Sequence, residues 1–188
     1  MKRIVIFASG SGTNAQNIIE YFQKSDFAKV TFVLSNKKNA KVLERAKNLN
    51  VPSSSFSKED LCDTDKILNT LINESPDIIV LAGFLLKFPE SILNEFPDKV
   101  INIHPALLPK YGGKGMYGSH VHESVIKNKE SETGITIHFV NENYDEGAIV
   151  SQKKVSISEK DTAVSVAEKV QKLEYEFFPK VIEEVLKK

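Results

Sequence analysis

Apolar positions fall into runs of two periods. Residues 3–8, 30–34, 77–82 and 100–103 are mostly uninterrupted apolar stretches of strand length. Such stretches suit strands buried on both faces of a parallel sheet. Between them the spacing is helical: Ile18, Ile19 and Phe22; then Val42, Leu43 and Ala46 within 39–48; then Ile67, Leu68, Leu71 and Ile72, closed by Pro76. Residues 89–96 predict a short helix. Val51, Pro52 and the serines at 53–55 predict an irregular stretch. Strand and helix alternating in this way imply βαβ units with right-handed crossovers.

After Ile103 the pattern changes. Pro105, Pro109 and glycines at 112, 113, 115, 118 and 134 predict a long loop region with a helix near 121–126. Ile135, Ile137 and Phe139 alternate with Thr136, His138 and Val140, which predicts a half-buried strand. A turn through Asp145-Glu146-Gly147 leads to an antiparallel partner over 148–155. From about Asp161, Val166, Val170, Leu173 and Phe177 mark a helix that Pro179 is expected to break or kink. The predicted fold is α/β: a Rossmann-like, doubly wound mixed sheet, mostly parallel, with an antiparallel C-terminal hairpin. No repeat or linker divides it, so 1–188 reads as one domain.

Composition narrows the function. Lys+Arg and Asp+Glu number 25 each, so the formal net charge is zero, which argues against a nucleic-acid or acidic-membrane binder. The single cysteine, Cys62, excludes a disulfide framework and a multi-cysteine zinc site, and is expected to be partly buried. No apolar run approaches the ~20 residues of a membrane span, and the N-terminal run is too short for a signal peptide. The expected location is cytoplasmic.

Three groups of residues can carry chemistry. Gly10-Ser11-Gly12-Thr13-Asn14 lies between a strand and a helix. Glycines there allow close backbone approach, and helix N-terminal N–H groups favour a phosphate. The alternative is a tight turn with Thr13 or Asn14 as N-cap. The string matches neither the dinucleotide nor the nucleoside-triphosphate loop. Asn102 and His104, two apart at the carboxyl end of a buried strand, share a face ~7 Å apart, where open α/β sheets bind ligands. Pro105 and Pro109 stiffen the loop that follows. Asp145 sits in the acidic turn 141–147, which on composition alone is a solvated hairpin turn. His120, His122 and His138 lack metal-motif spacing, so no metal is expected.

Together these groups resemble the phosphoribosylglycinamide formyltransferase (GAR transformylase) family. The shared strings are Gly10-Ser11-Gly12-Thr13-Asn14, Leu81-Ala82-Gly83-Phe84, residues 101–110 (INIHPALLPK), residues 134–140 (GITIHFV), and Asp145 with Gly147. The resemblance implies transfer of a formyl group from 10-formyltetrahydrofolate, as cosubstrate, to the amine of glycinamide ribonucleotide in purine biosynthesis. It implies small-molecule substrates only and no permanently bound cofactor. Asn102, His104 and Asp145 would be catalytic. Gly10, Ser11, Gly12, Thr13, Asn14, Gln171 and Glu174 would bind the ribonucleotide. Leu85, Leu86, Phe88, Leu93, Asn141 and Tyr144 would bind the folate. Residues 1–100 would form the phosphate-binding half, and 101–188 the catalytic and folate-binding half.

In the implied mechanism Asn102 donates to the oxyanion of a tetrahedral intermediate. Asp145 keeps His104 charged as a second donor and assists proton transfer. The chain departs from the family in three places. Leu86 stands where members often carry Arg, the loop 112–119 is longer, and no clear match exists for a basic residue near the phosphate, Lys58 being the candidate. Rival readings are a tRNA formyltransferase, a formyl-folate hydrolase and a non-catalytic nucleotide-binding module.

Overall fold

The computed structural model describes residues 1–188. In chain order its elements are β1 (Lys2–Phe7), α1 (Thr13–Phe22), β2 (Ala28–Ser35), α2 (Lys41–Asn48), β3 (Ser53–Ser55), α3 (Lys58–Cys62), α4 (Lys66–Glu74), β4 (Ile78–Leu81), α5 (Glu90–Glu95), β5 (Val100–His104), α6 (Ser119–Lys127), β6 (Glu132–Phe139), β7 (Ile149–Ser156) and α7 (Ala163–Leu186). The strands form one seven-stranded sheet in the order β3-β2-β1-β4-β5-β6-β7. Pairs from β3 to β5 are parallel, and β5–β6 and β6–β7 are antiparallel. This is the doubly wound mixed sheet that the apolar runs imply.

Successive side chains of a strand point to opposite faces, and both faces here are dry. Ile4, Ile6, Ile78 and Val80 pack under α1, α2 and α7, whereas Val5, Phe7, Ile79 and Leu81 pack under α3, α4 and α5. Phe7 is fully buried and meets Phe88, Phe84 and Phe56 edge-on, with ring centroids 5.1, 5.4 and 5.8 Å away. Edge-to-face contacts add to the area that these rings bury.

Several elements differ from the sequence expectation. The serines at 53–55 are not irregular: they form the edge strand β3, in parallel register with Val33, Leu34 and Ser35. Main-chain bonds hold it, so no apolar pattern marks it. Helix α3 was not expected, although Ser57 and Asp60 form a capping box that starts it. Cys62 ends α3 and is exposed, not partly buried.

Strand β6 is buried on both faces. Thr133, Thr136 and His138 are as dry as Ile135 and Ile137. The loop after β5 covers its polar side: Thr136 Oγ1 donates to the Ala106 carbonyl and accepts from the Leu108 N–H. Helix α7 runs through Pro179. Proline removes the N–H that would bond the carbonyl of Tyr175. Asn17 Nδ2 donates to that carbonyl instead, at 2.9 Å.

Candidate active site

The order reverses between β1 and β4, and ligands of doubly wound sheets bind outside such a switch point. A cavity of about 400 Å³ lies there. Its wall is built from Gly10–Asn14 after β1, Ala82–Leu85 after β4, Asn102–Pro105 at the end of β5, and Tyr117, Gly118, His122, Asp145 and Glu174. Elements from both ends of the chain therefore meet across the sheet.

The glycine loop is shaped by its neighbours. Gly12 is the N-cap of α1 at φ 72, and a Cβ there would lie 2.4 Å from Val42 side-chain atoms of α2. Only glycine fits that approach. Neither Thr13 nor Asn14 caps α1, which has no side-chain cap. The first-turn N–H groups thus lack a side-chain acceptor, the arrangement suited to an anion. Lys58 opens α3, away from this cavity, and no Lys or Arg lines it. The cation at the loop is Arg45, whose Nε donates to the Ser11 carbonyl at 2.8 Å and whose guanidinium also bonds Gln16.

Of the two α7 residues expected here, only Glu174 lines the cavity; Gln171 is exposed one turn away. Glu174 Oε2 accepts from Asn14 Nδ2 at 2.8 Å. Loss of water around this carboxyl group raises its pKa, and the Asn14 bond offsets part of that.

The catalytic candidates converge where the sheet turns antiparallel. Asn102 of β5 is the register partner of His138 of β6, and its Nδ2 lies 3.1 Å from His138 Nε2. A carbonyl can only accept, so two tautomers follow. His138 Nδ1 carries hydrogen toward the Phe139 carbonyl at 2.8 Å, and His104 Nε2 carries hydrogen toward the Tyr111 carbonyl at 2.7 Å. His138 Nε2 is then the acceptor for Asn102. Asp145 closes the group from the β6–β7 turn. Its Oδ2 is 3.5 Å from His104 Nδ1 and accepts from the Gly113 N–H at 2.9 Å, and its Oδ1 is 3.6 Å from His138 Nε2 and 3.5 Å from Asn102 Nδ2.

Burial pushes the His104 pKa down, and this outweighs the Asp145 charge and the Tyr111 bond that push it up; His138 lowers it further. The lowered pKa favours the neutral imidazole in the ligand-free site, where the expectation was a charged one held by Asp145, and its Nε2 hydrogen lies on the Tyr111 carbonyl. Burial alone would raise the Asp145 carboxyl, but the two imidazoles beside it, His138 and His104, favour its charged form when either takes up a proton, and with the Gly113 N–H they hold its pKa below the usual value. His122 is buried in the cavity wall, its pKa lowered by burial and by His104.

A second, smaller pocket of about 70 Å³ adjoins the first. Leu86, Phe88, Asn141 and Tyr144 line it, as the folate assignment expects. Leu85 lines the main cavity instead, and Leu93, on α5, lines neither and packs against the core. Asn102, Asp145 and Phe84 belong to both pockets. His138 is a site residue that the sequence places in a shared family string, 134–140, and weighs only as a metal ligand. Its role shows in the folded sheet, where it stands opposite Asn102.

A formyl transferase family model matches residues 2–182. The curated phosphoribosylglycinamide formyltransferase of Haemophilus influenzae is 38% identical over 97% of this chain and 86% of its own length. That of Bacillus subtilis is 31% identical over 99% and 95%. The chain belongs to the phosphoribosylglycinamide formyltransferase family. Solved structures agree with this placement of the formyltransferase. The enzyme from Anaplasma phagocytophilum superposes with a TM-score of 0.91 at 28% identity, over 99% of this chain and 87% of that one. The glycinamide ribonucleotide transformylase 1 of Geobacillus kaustophilus gives 0.89 at 34%, over 99% of each chain. No three or more His, Cys, Asp or Glu residues are grouped as a metal site, and no helix is long and apolar enough to cross a membrane.

Proposed function

We propose that this formyltransferase moves the formyl group of 10-formyltetrahydrofolate to the amine of glycinamide ribonucleotide. The observation that carries this reading is the position of Asn102 and Asp145 in the wall shared by the two pockets, with His104 Nδ1 3.5 Å from Asp145 Oδ2. The ribonucleotide would lie in the larger cavity, its phosphate on the Gly10–Asn14 loop and its ribose toward Glu174. The folate would enter the smaller pocket, with its ring beside Leu86, Phe88 and the 141–145 turn.

The substrate amine has an α-amino pKa near ~8, so an appreciable fraction is neutral at pH 7. Its lone pair attacks the formyl carbon, a C–N bond forms, and the carbonyl π pair moves onto oxygen. Asn102 Nδ2 donates to that oxyanion. The proton of the attacking nitrogen passes to His104 Nδ1, and the imidazolium so formed is paired with Asp145 Oδ2. Collapse of the intermediate breaks the bond to the folate nitrogen, which takes the proton back from His104. Asp145 thus lowers the cost of charging a buried imidazole at the moment when charge appears.

The test mixes purified protein with a 10-formylfolate donor and follows deformylated folate by absorbance, with and without glycinamide ribonucleotide. Turnover only with the ribonucleotide supports the reading. Turnover without it marks a hydrolase, and no turnover in either case overturns the assignment of the acceptor.

A further inference from the structure

We propose that Tyr111 and Glu130 are positioning residues of this centre: they hold the main-chain carbonyl that orients His104. The proposal rests on the catalytic role given to His104 above.

Tyr111 adopts a left-handed backbone, φ 57, which a bulky residue keeps only when its surroundings impose it. Its two ends show what imposes it. The carbonyl accepts from His104 Nε2 at 2.7 Å, and the phenol donates to Glu130 Oε1 at 2.8 Å. Glu130 lies in the turn between α6 and β6, and its N–H bonds the Val125 carbonyl of α6. The link from α6 to the imidazole is therefore three hydrogen bonds long, with the Glu130 and Tyr111 side chains as its spacers. Burial and Glu130 both raise the Tyr111 pKa, so its hydroxyl remains a donor across the neutral range.

The next residues extend the same strap to the other catalytic group. Gly113 donates its N–H to Asp145 Oδ2 and has φ 94. A Cβ on Gly112 would meet Leu108 Cδ2 at 2.5 Å and Asp145 Cβ at 3.3 Å. Three consecutive residues of main chain thus touch His104 and Asp145 from outside the cavity. The groups facing His104 are Asp145 from the β6–β7 turn, His138 from β6, His122 from α6 and the Tyr111 carbonyl. The carbonyl, at 2.7 Å, is nearer to its ring nitrogen than Asp145 is to the other, at 3.5 Å, so it holds the hydrogen on Nε2 and leaves Nδ1 to meet substrate.

The experiment compares Tyr111→Phe, Glu130→Ala and Glu130→Gln, with Lys110→Ala as control. Lys110 bonds the same carboxylate but does not reach His104. We expect Tyr111→Phe and Glu130→Ala to lower kcat about tenfold or more, as a misplaced catalytic group does, with little change in either KM. Glu130→Gln keeps an acceptor oxygen and recovers most of the rate, and Lys110→Ala behaves as wild type. A histidine NMR titration of the ligand-free protein should show the His104 midpoint moving down in Tyr111→Phe and Glu130→Ala, because a bond favouring its charged form is weakened. An unchanged His104 titration in both variants, or a change in KM alone, overturns the proposal. The titration needs no substrate, so it decides the matter even if the acceptor is not glycinamide ribonucleotide.

Discussion

Asn102 and His138 face each other across the antiparallel junction of β5 and β6, and the histidine accepts one N–H of the asparagine at 3.1 Å. That bond turns the amide and leaves its second N–H on the cavity side, beside Asp145 Oδ1 at 3.5 Å. Asn102→Ala should lower kcat by ~10²–10³, the usual cost of one oxyanion donor, while both KM values stay near wild type. His138→Ala should cost less, and the double variant should fall short of the product of the two effects because one acts through the other. Steady-state kinetics of the four proteins checks this; a fully multiplicative double variant would separate the two roles.

The pH profile follows from His104. Its pKa lies below the ordinary 6.5 because of burial, and the reaction needs it neutral. The rate should therefore fall on the acid side in two steps, first as the substrate amine takes up its proton at ~8, then below 6.5 as His104 is protonated, the limb that concerns this residue. Asp145→Asn removes the charge that holds this pKa up, so the limb should move to lower pH while kcat drops. A limb that moves upward in this variant contradicts the assignment.

Stability should also decline on the acid side. The folded state takes up the His104 proton later than the unfolded chain, whose imidazole titrates near 6.5. This contribution is present above that value and is lost as pH falls through the lower folded pKa. Asp145, with its pKa below 3.8, adds a further loss at still lower pH. Urea midpoints measured across the acid range test both, and replacing His104 should remove the first.

Glu174 reaches the cavity from α7 and engages Asn14. Glu174→Ala should raise the KM for glycinamide ribonucleotide by ~10–100-fold, the worth of a hydrogen bond to a charged group, with the folate KM unchanged. Equal changes in both KM values would place Glu174 outside the ribonucleotide site.

Gly134 tests the sheet on which the site stands. A Cβ there would lie 1.8 Å from the Lys153 carbonyl of β7 and 2.9 Å from Leu107. Gly134→Ala should destabilise the fold by about 4 kcal/mol or more, because backbone must move. Gly10→Ala meets nothing within 4 Å and should shift stability by less than about 1 kcal/mol. Urea unfolding of the pair distinguishes steric demand from general sensitivity.

The sequence made the central strands legible because β1, β4 and β5 are dry on both faces and their apolar runs are nearly unbroken. Strand β3 left no trace because it is an edge of three serines joined by backbone alone. The polar face of β6 misled because Thr136 is buried by hydrogen bonds to the loop after β5 and His138 by its bond to Asn102 of β5, which no period reveals. Asn102, His104 and Asp145 were legible through a motif, and their placement together is borne by the geometry. Gln171 and Leu93 were carried over by alignment with the family, Lys58 was a candidate with no matching motif, and the shape of this chain leaves all three outside the two pockets. The state of His104 was not legible, since it depends on a carbonyl seven residues ahead that only the folded loop brings back.

The register of β5 against β6 has one more consequence. Shifting that pairing by a single residue would turn His138 to the opposite side of the sheet and leave Asn102 facing an apolar neighbour. The site therefore has no half-assembled form: its parts are correct together or lost together, at the moment those two strands separate. Thermal inactivation and the opening of the β5 and β6 amides to deuterium are, for this chain, two clocks timing one event.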